Sequence, residues 1–204
     1  LDYMKRWNTI VTNFLLNEIL RCSSVSSRAD VIKYLLICGF ISVETMNNFD
    51  FCVIIQSVLE RTPIYRLKQS WEKVEKLIPN KRAEFKQLVG VCGKNIGTIM
   101  NKSVPPLVPY IGTIMQWVTN HHEVPSTIQP STTSTQIHLN INKHRRLANI
   151  INMFEDGQKI PYTIDNDLKI QKIVLQPIQW SDEESMQMRS VELEPIIKHT
   201  NNNN

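Results

Sequence analysis

Glycine is scarce, with six in 204 residues. A barrel or sandwich built on many tight turns is therefore not expected. No stretch approaches the roughly 20 consecutive apolar residues of a membrane-spanning helix. No basic-then-apolar leader with a small-residue cleavage site opens the chain. The four cysteines, Cys22, Cys38, Cys52 and Cys92, never fall within four residues of one another, so the paired spacing of a zinc site is missing. All four sit in apolar helical stretches, where free thiols are expected to pack as small hydrophobes in a reducing, intracellular compartment. Neither common glycine-rich phosphate loop occurs.

The nearest approach to a metal cluster is His121, His122 and Glu123. Adjacent histidines project about 100° apart on a helix and do not converge on one ion as an i, i+4 pair does. Cys92 with a distant histidine lacks the local signature of a nucleophile pair. No metal, no cofactor and no covalent chemistry are expected, and a binding surface becomes the leading class of function.

What the chain does have is an ordinary globular balance, 42% apolar and 21% charged, on a length that suits one domain. Its net charge of +4 suits an acidic protein partner or an anionic membrane surface. The densest basic run, Lys143–Arg146, sits at a helix start with no aromatic platform beside it, so nucleic acid is not expected as a partner.

Apolar residues recur at helical spacing through most of the chain. LDYMKRWNTIVTNFLLNEIL carries Met4, Trp7, Phe14 or Leu15, and Ile19 on one face. Ser26 or Ser27 is placed to cap RADVIKYLLICGFISV, a helix read as central because it has few exposed positions. MNNFDFCVIIQSVLE follows, capped by Asn47 or Asn48. Pro63 breaks the next segment, and SWEKVEKLI ends at Pro79. In NKRAEFKQLVGVCGKNIGTIMNK the glycines each weaken helix by about 1 kcal/mol relative to alanine, and a break is expected near Gly93. PPLVPYIG, residues 105–112, then interrupts the helical run, which resumes through Tyr110, Ile114 and Trp117 up to NHHE. Residues 123–136 are polar, proline-bearing and low in complexity, and read as a flexible loop. KHRRLANIINMFE is capped by Asn140 or Asn142, DLKIQKIVL is a short amphipathic piece, and SDEESMQMRSVELEP opens with Ser181 as cap and carboxylates in its first turn. Few stretches alternate as strands do. The expected fold is all-α, a single helical domain.

Several of these segments together resemble the catalytic domain of Ras-type guanine-nucleotide exchange factors. MNNFDFCVIIQSVLERTPIYRLKQSW is similar to that family's Asn-Asn-Phe helix followed by a Tyr-Arg-Leu triplet and a tryptophan. PPLVPYIG matches its elbow of prolines, an aromatic and a glycine. RWNTIVTNFLLNEIL, LNINKHRRLANII, IPYTI and VELEP are supporting landmarks. The resemblance covers roughly residues 1–196. It implies a domain over residues 1–200, incomplete at its N-terminus relative to the family, followed by an Asn201–Asn204 tail with no reason to order. A domain without those preceding helices is expected to expose apolar surface along residues 1–60.

The resemblance further implies a helical hairpin that inserts near the switch regions of a Ras-family small GTPase and promotes GDP release. Its arms would be Asn80–Lys102 and Val108–Asn120, with Pro105, Pro106 and Pro109 setting the entry angle of the second. Carried over position by position, Glu123 is the acidic residue near the phosphate and magnesium site, and Thr119 crowds the metal. Val53 and Tyr110 line an apolar pocket for a switch tyrosine. Arg6, Thr9, Glu60, Tyr65, Gln116 and Arg146 match further GTPase contacts. Such a protein would be cytoplasmic, with peripheral recruitment to the plasma membrane compatible with its charge. The chain departs from the family at Ile114–Val118, at Val124–Ser126 after the glutamate, at Glu60 and at Gly93. A degenerate relative that binds a GTPase or scaffold without exchange is the alternative.

Overall fold

The computed structural model describes residues 2–129 and 137–196. Helices dominate them, and the β pairing among them is one two-stranded antiparallel ladder and one isolated bridge, so the all-α expectation holds. The core is built in the first half of the chain. Helices α1 (Asp2–Leu20), α2 (Val25–Glu44) and α3 (Phe49–Glu60) pack on one another. After the single turn α4 (Thr62–Tyr65), which has Pro63 as its second residue, α5 (Lys68–Leu77) closes on α2.

The buried stripes are those that helical spacing marks. Leu16, Ile19 and Leu20 of α1, Ile32 and Leu36 of α2, and Phe49, Ile55 and Val58 of α3 are at most 1% exposed. Each such side chain contributes about 1.5–3 kcal/mol relative to exposure. Helix α2 is central, but it is not short of exposed positions. Tyr34, Ile37, Cys38 and Ile41 line up on an open face, so Cys38 does not pack as a buried hydrophobe, whereas Cys52 does. Apolar side chains are also exposed on α1, at Tyr3, Trp7 and Ile10.

The helix ends correct two expectations and decide a third between its alternatives. Ser24, not Ser26 or Ser27, caps α2: its backbone is extended and its hydroxyl accepts from the Ser27 amide at 3.0 Å. The two later serines lie inside the first turn. Asn48 caps α3 by accepting from the Phe51 amide, which leaves Asn47 in the left-handed region at φ 48°. Asp182, not Ser181, caps the last helix α11 (Glu183–Leu193), because its carboxylate reaches the Ser185 amide at 2.8 Å.

The second half begins with α6 (Lys81–Val89), a 3-10 turn at Val91–Gly93 and α7 (Lys94–Met100). The break therefore starts already at Gly90, and the first arm of the expected hairpin is two helices in place of one. Helix α6 belongs to the core: Phe85 fills the space over Gly39 of α2. Helix α8 (Ile111–His122) follows the elbow, and α9 (Ile141–Lys159) packs along it. The segment read as a flexible loop carries β1 (Thr127–Ile128) paired with β2 (His138–Leu139) at its exit, Thr127 opposite Leu139. Residues 130–136 of that loop, and the asparagine tail, lie outside the described residues. A short α10 (Leu168–Val174) precedes α11.

The C-terminal segment returns to the beginning of the fold through polar contacts. The Asn17 side chain donates to the Trp180 carbonyl at 2.7 Å and accepts from the Gln179 and Trp180 amides. Arg189 donates to the Leu20 carbonyl. Fully buried Arg28 meets Glu194 at 3.2 Å. Among the described residues, no helix is long and apolar enough to cross a membrane.

Candidate functional site

The elbow Val104–Tyr110 and the Asn47–Phe49 segment lie some 60 positions apart in sequence and meet as one unit. The Val108 amide donates to the Asn47 carbonyl and the Phe49 amide to the Val108 carbonyl, both at 2.9 Å, a single parallel bridge centred on Asn48. The Asn47 side chain adds a bond to the Val104 carbonyl at 3.1 Å. Its left-handed backbone, which asparagine tolerates better than most residues, is what turns that side chain onto the elbow. Tyr162 donates its hydroxyl to the Met46 carbonyl next door. Buried Leu107 of the elbow packs against Gly157 of α9. The direction in which α8 leaves is thus fixed from three sides.

Helices α7 and α8 are joined by this elbow and touch at Gly97. A Cβ there would lie 2.8 Å from Thr113 Cγ2 and 3.2 Å from the Trp117 ring, so only glycine permits the approach. Trp117 is half-buried in this contact and serves packing. Gly93 has φ 74°, and a side chain on it would meet Tyr110 at 3.1 Å and Val53 at 3.4 Å. Val53, Gly93 and Tyr110 therefore surround one spot, with Val53 and Tyr110 both half-buried.

Beyond its first turn α8 has little core to serve: Thr113 and Ile114 are its buried residues, while Gln116, Thr119 and Glu123 stand exposed at i, i+3 and i+7 on one edge. Glu123 ends the helix, its amide donating to the Thr119 carbonyl at 3.2 Å. The turn that follows is stapled to α9. Lys143 is 9% exposed and donates to the His122 carbonyl at 3.2 Å and to Ser126 Oγ at 3.0 Å. Asn140 caps α9 through the Lys143 amide, donates its side chain to the Pro125 carbonyl at 3.0 Å, and its own amide to the Ser126 carbonyl. The basic run Lys143–Arg146 is accordingly split: its first residue is a structural staple, and the other three are exposed. Arg146 lines a hollow with His121, Trp117 and Asn101 between α7, α8 and α9.

The remaining predicted positions fall into two other places. Glu60 and Tyr65 share a shallow hollow with Arg82 and Lys86. The Lys86 ammonium lies 3.6 Å from the Glu60 carboxylate, and the Arg82 guanidinium stacks 3.7 Å from the Trp71 ring and 5.0 Å from that of Tyr65. Burial lowers the Arg82 pKa, and the nearby Tyr65, Glu60 and Glu75 counter it. Arg6 and Thr9 stand exposed one turn apart on α1. The structure thus brings together Val53 with Tyr110, Glu60 with Tyr65, and Gln116, Thr119 and Glu123, while Arg6 and Thr9 form a separate patch. Sequence reasoning missed Lys143, Arg82 and Lys86. A cation among other cations carries no signal of which carbonyl, ring or carboxylate it will meet. Asn140 was legible as a cap but not as the tether of the α8 tip.

An array of helices with a fixed proline elbow, a glycine-permitted close pair and a stapled acidic tip invites comparison with known domains. A family model, the RasGEF domain, matches residues 1–146. Ras-specific guanine nucleotide-releasing factor 1 of Mus musculus is 29% identical over 189 residues, covering 92% of this chain and 14% of its own length. The Homo sapiens protein of that name is 28% identical over 195 residues, covering 95% of this chain and 15% of its own. Ras guanine nucleotide exchange factor E of Dictyostelium discoideum is 30% identical over 122 residues, 58% of this chain and 12% of its own. The chain spans a small part of the length of each of these relatives. With the family model covering well over half of its residues, the chain belongs to the RasGEF domain family.

Proposed function

We propose that this chain promotes GDP release from a Ras-family small GTPase without forming or breaking a covalent bond. It does so by binding the nucleotide-free GTPase more tightly than the nucleotide-bound form, because only differential affinity shifts such a population. The unit of α7, the elbow and α8 is the part that inserts near the switch regions. Glu123, at the tip, places a carboxylate where phosphate and magnesium lie; like charge repels the phosphate and competes for the metal's ligands. Thr119 crowds the same place one turn back. Val53 and Tyr110, half-buried side by side over Gly93, offer an apolar surface to a side chain of the partner. Arg6, Thr9, Glu60, Tyr65, Gln116 and Arg146 supply surrounding contacts. On this reading the chain acts in the cytoplasm, where its partner reaches it directly or at the inner membrane surface.

The observation that carries the reading is the braced, exposed tip. A lever must not bend on contact, and the turn after Glu123 is tied to α9 by Lys143 and Asn140 while Glu123 itself stays in solvent. The test is release of a fluorescent GDP analogue from a panel of Ras-family GTPases. Acceleration by the chain, lost with Glu123→Ala, is the expected result. Binding to the nucleotide-free GTPase with no acceleration would leave the degenerate, binding-only reading in its place. Unchanged release rates with Glu123→Ala in an active chain would remove the role given to Glu123.

A further inference from the structure

A hollow of about 400 Å³ opens between the N-terminal half of α1, the first turn of α3 and Val108 of the elbow. Its lining is largely apolar and includes the rings of Tyr3, Trp7 and Phe51. Three short polar side chains, Asn8, Asn48 and Asp50, also line it; Asn48 already accepts from the Phe51 amide, and among the described residues Asp50 has the single donor Asn8. Asp50 is 6% exposed, and its carboxylate accepts from Asn8 Nδ2 at 3.3 Å. Among the described residues no lysine, arginine or histidine pairs with it. Burial accordingly raises its pKa, which the Asn8 amide only partly offsets. Asn8 Oδ1 is buried and has no donor among the described residues. Turning the Asn8 amide over gives no relief, since it would set two acceptors face to face.

A carboxylate that accepts a single hydrogen bond has lone pairs left over, so Asp50 beside an open hollow asks for an incoming donor. A desolvated carboxylate further asks for a positive charge, and aromatic walls favour a delocalised cation that can stack on them. A guanidinium meets all three demands, with several donors in a rigid plane. The hollow is wider than one head group. It continues along Met4, Val11, Ile54 and Val174, which suits the apolar neighbours of an arginine in a polypeptide better than a free small cation.

We propose that this hollow binds an arginine side chain presented by a partner protein, its guanidinium donating to Asp50 and stacking on Trp7 or Phe51. The site is separate from the α8 tip and does not depend on nucleotide exchange. It borders the Asn48–Val108 bridge, so an occupant would also press on the support of the elbow.

The 204-residue chain is titrated with the capped peptide acetyl-Leu-Arg-Leu-amide and with its neutral isostere, citrulline in place of arginine, while the Trp7 indole signal is followed by NMR. The expected result is a saturable shift with the arginine peptide at an affinity about tenfold or more above that of citrulline, as a charge-assisted pair implies. Asp50→Asn should erase that preference and leave the rest of the spectrum in place. No saturable shift, equal affinities, or a preference that survives Asp50→Asn overturns the proposal. Should Asp50→Asn fail to fold, Trp7→Leu, at a side chain 39% exposed, must weaken the arginine peptide several-fold when followed at the Asn8 side-chain amide; unchanged affinity also overturns it.

Discussion

Glu194→Ala should be among the most damaging single changes in the chain, although Glu194 lies far outside the span that matches the family model. Helix α5 begins at Lys68 after Leu67, which offers no side-chain cap. Its orphan amides are met from across the fold. Glu194 accepts from the Gln69 amide at 2.9 Å, the Ser70 amide at 3.1 Å and Ser70 Oγ at 2.7 Å, and pairs with Arg28 at 3.2 Å. Truncation leaves two amides and a hydroxyl without their acceptor and a fully buried cation without its counter-ion. Breaking a buried pair costs about 3–5 kcal/mol. Arg28 keeps the Cys22 and Ser23 carbonyls and Ser70 Oγ as acceptors, so the lower end, about 3 kcal/mol, is appropriate. Domains of this kind are stable by only about 5–15 kcal/mol. In urea, followed by tryptophan fluorescence and far-UV circular dichroism, the midpoint should fall by roughly 1–2 M. The control is Glu192→Ala, which removes an exposed partner of Arg189 and should have little effect. A loss from Glu194→Ala below about 1 kcal/mol, or one equal to the control, would refute the capping argument. The pH dependence has a defined sign. Burial opposes ionisation of Glu194, but the bonds from Ser70, Gln69 and Arg28 outweigh it and hold its carboxyl below the ordinary range. This stability is present in full above the unfolded value of 4.5 and is lost as pH falls through the lower folded value.

Asn47→Ala removes the side-chain bond to Val104 and puts at φ 48° a residue that tolerates the left-handed region less well than asparagine; it should cost about 1–2 kcal/mol in urea unfolding and slow nucleotide release, with Asn47→Gly recovering the backbone part only. Gly97→Leu should push α7 from α8 against Thr113, costing about 1–3 kcal/mol; full exchange activity in this variant would deny that the two helices act as one unit. Asp50→Asn should raise the urea midpoint at pH 7, because its carboxyl is raised by burial and must ionise there at a cost. The gain should vanish below the unfolded value of 3.8, where both forms are neutral.

Much of this could be read before the fold was known, and the misses share a cause. Helical stripes such as Ile32–Leu36 and Ile55–Val58 declare themselves because burial repeats every turn and the signal sits within a few residues. Capping was legible to within a turn: the right serine was Ser24 and the right acidic residue Asp182, because several polar residues in a row each qualify and only the backbone selects one. The cysteines misled at Cys38, since an apolar stretch on α2 serves both its buried and its open face. Glu123, Thr119 and Gln116 stand along one exposed edge, an arrangement their spacing already allowed. What no local pattern could give is the bracing of that edge.

The sequence by itself determined an all-α chain, the positions of its interruptions, the proline elbow and membership in a family. Tertiary structure alone decided that the elbow pairs with Asn47–Phe49, that Glu194 caps a helix more than 120 positions away, that Lys143 is a staple while its basic neighbours face water, and that Asp50 is buried with no counter-ion among the described residues. The physical reason is one of range. Hydrophobic periodicity, proline and glycine act on the residues beside them, whereas a polar side chain is satisfied by whatever donor or acceptor the packed core brings within about 3 Å of it, and that partner leaves no mark on the neighbouring sequence.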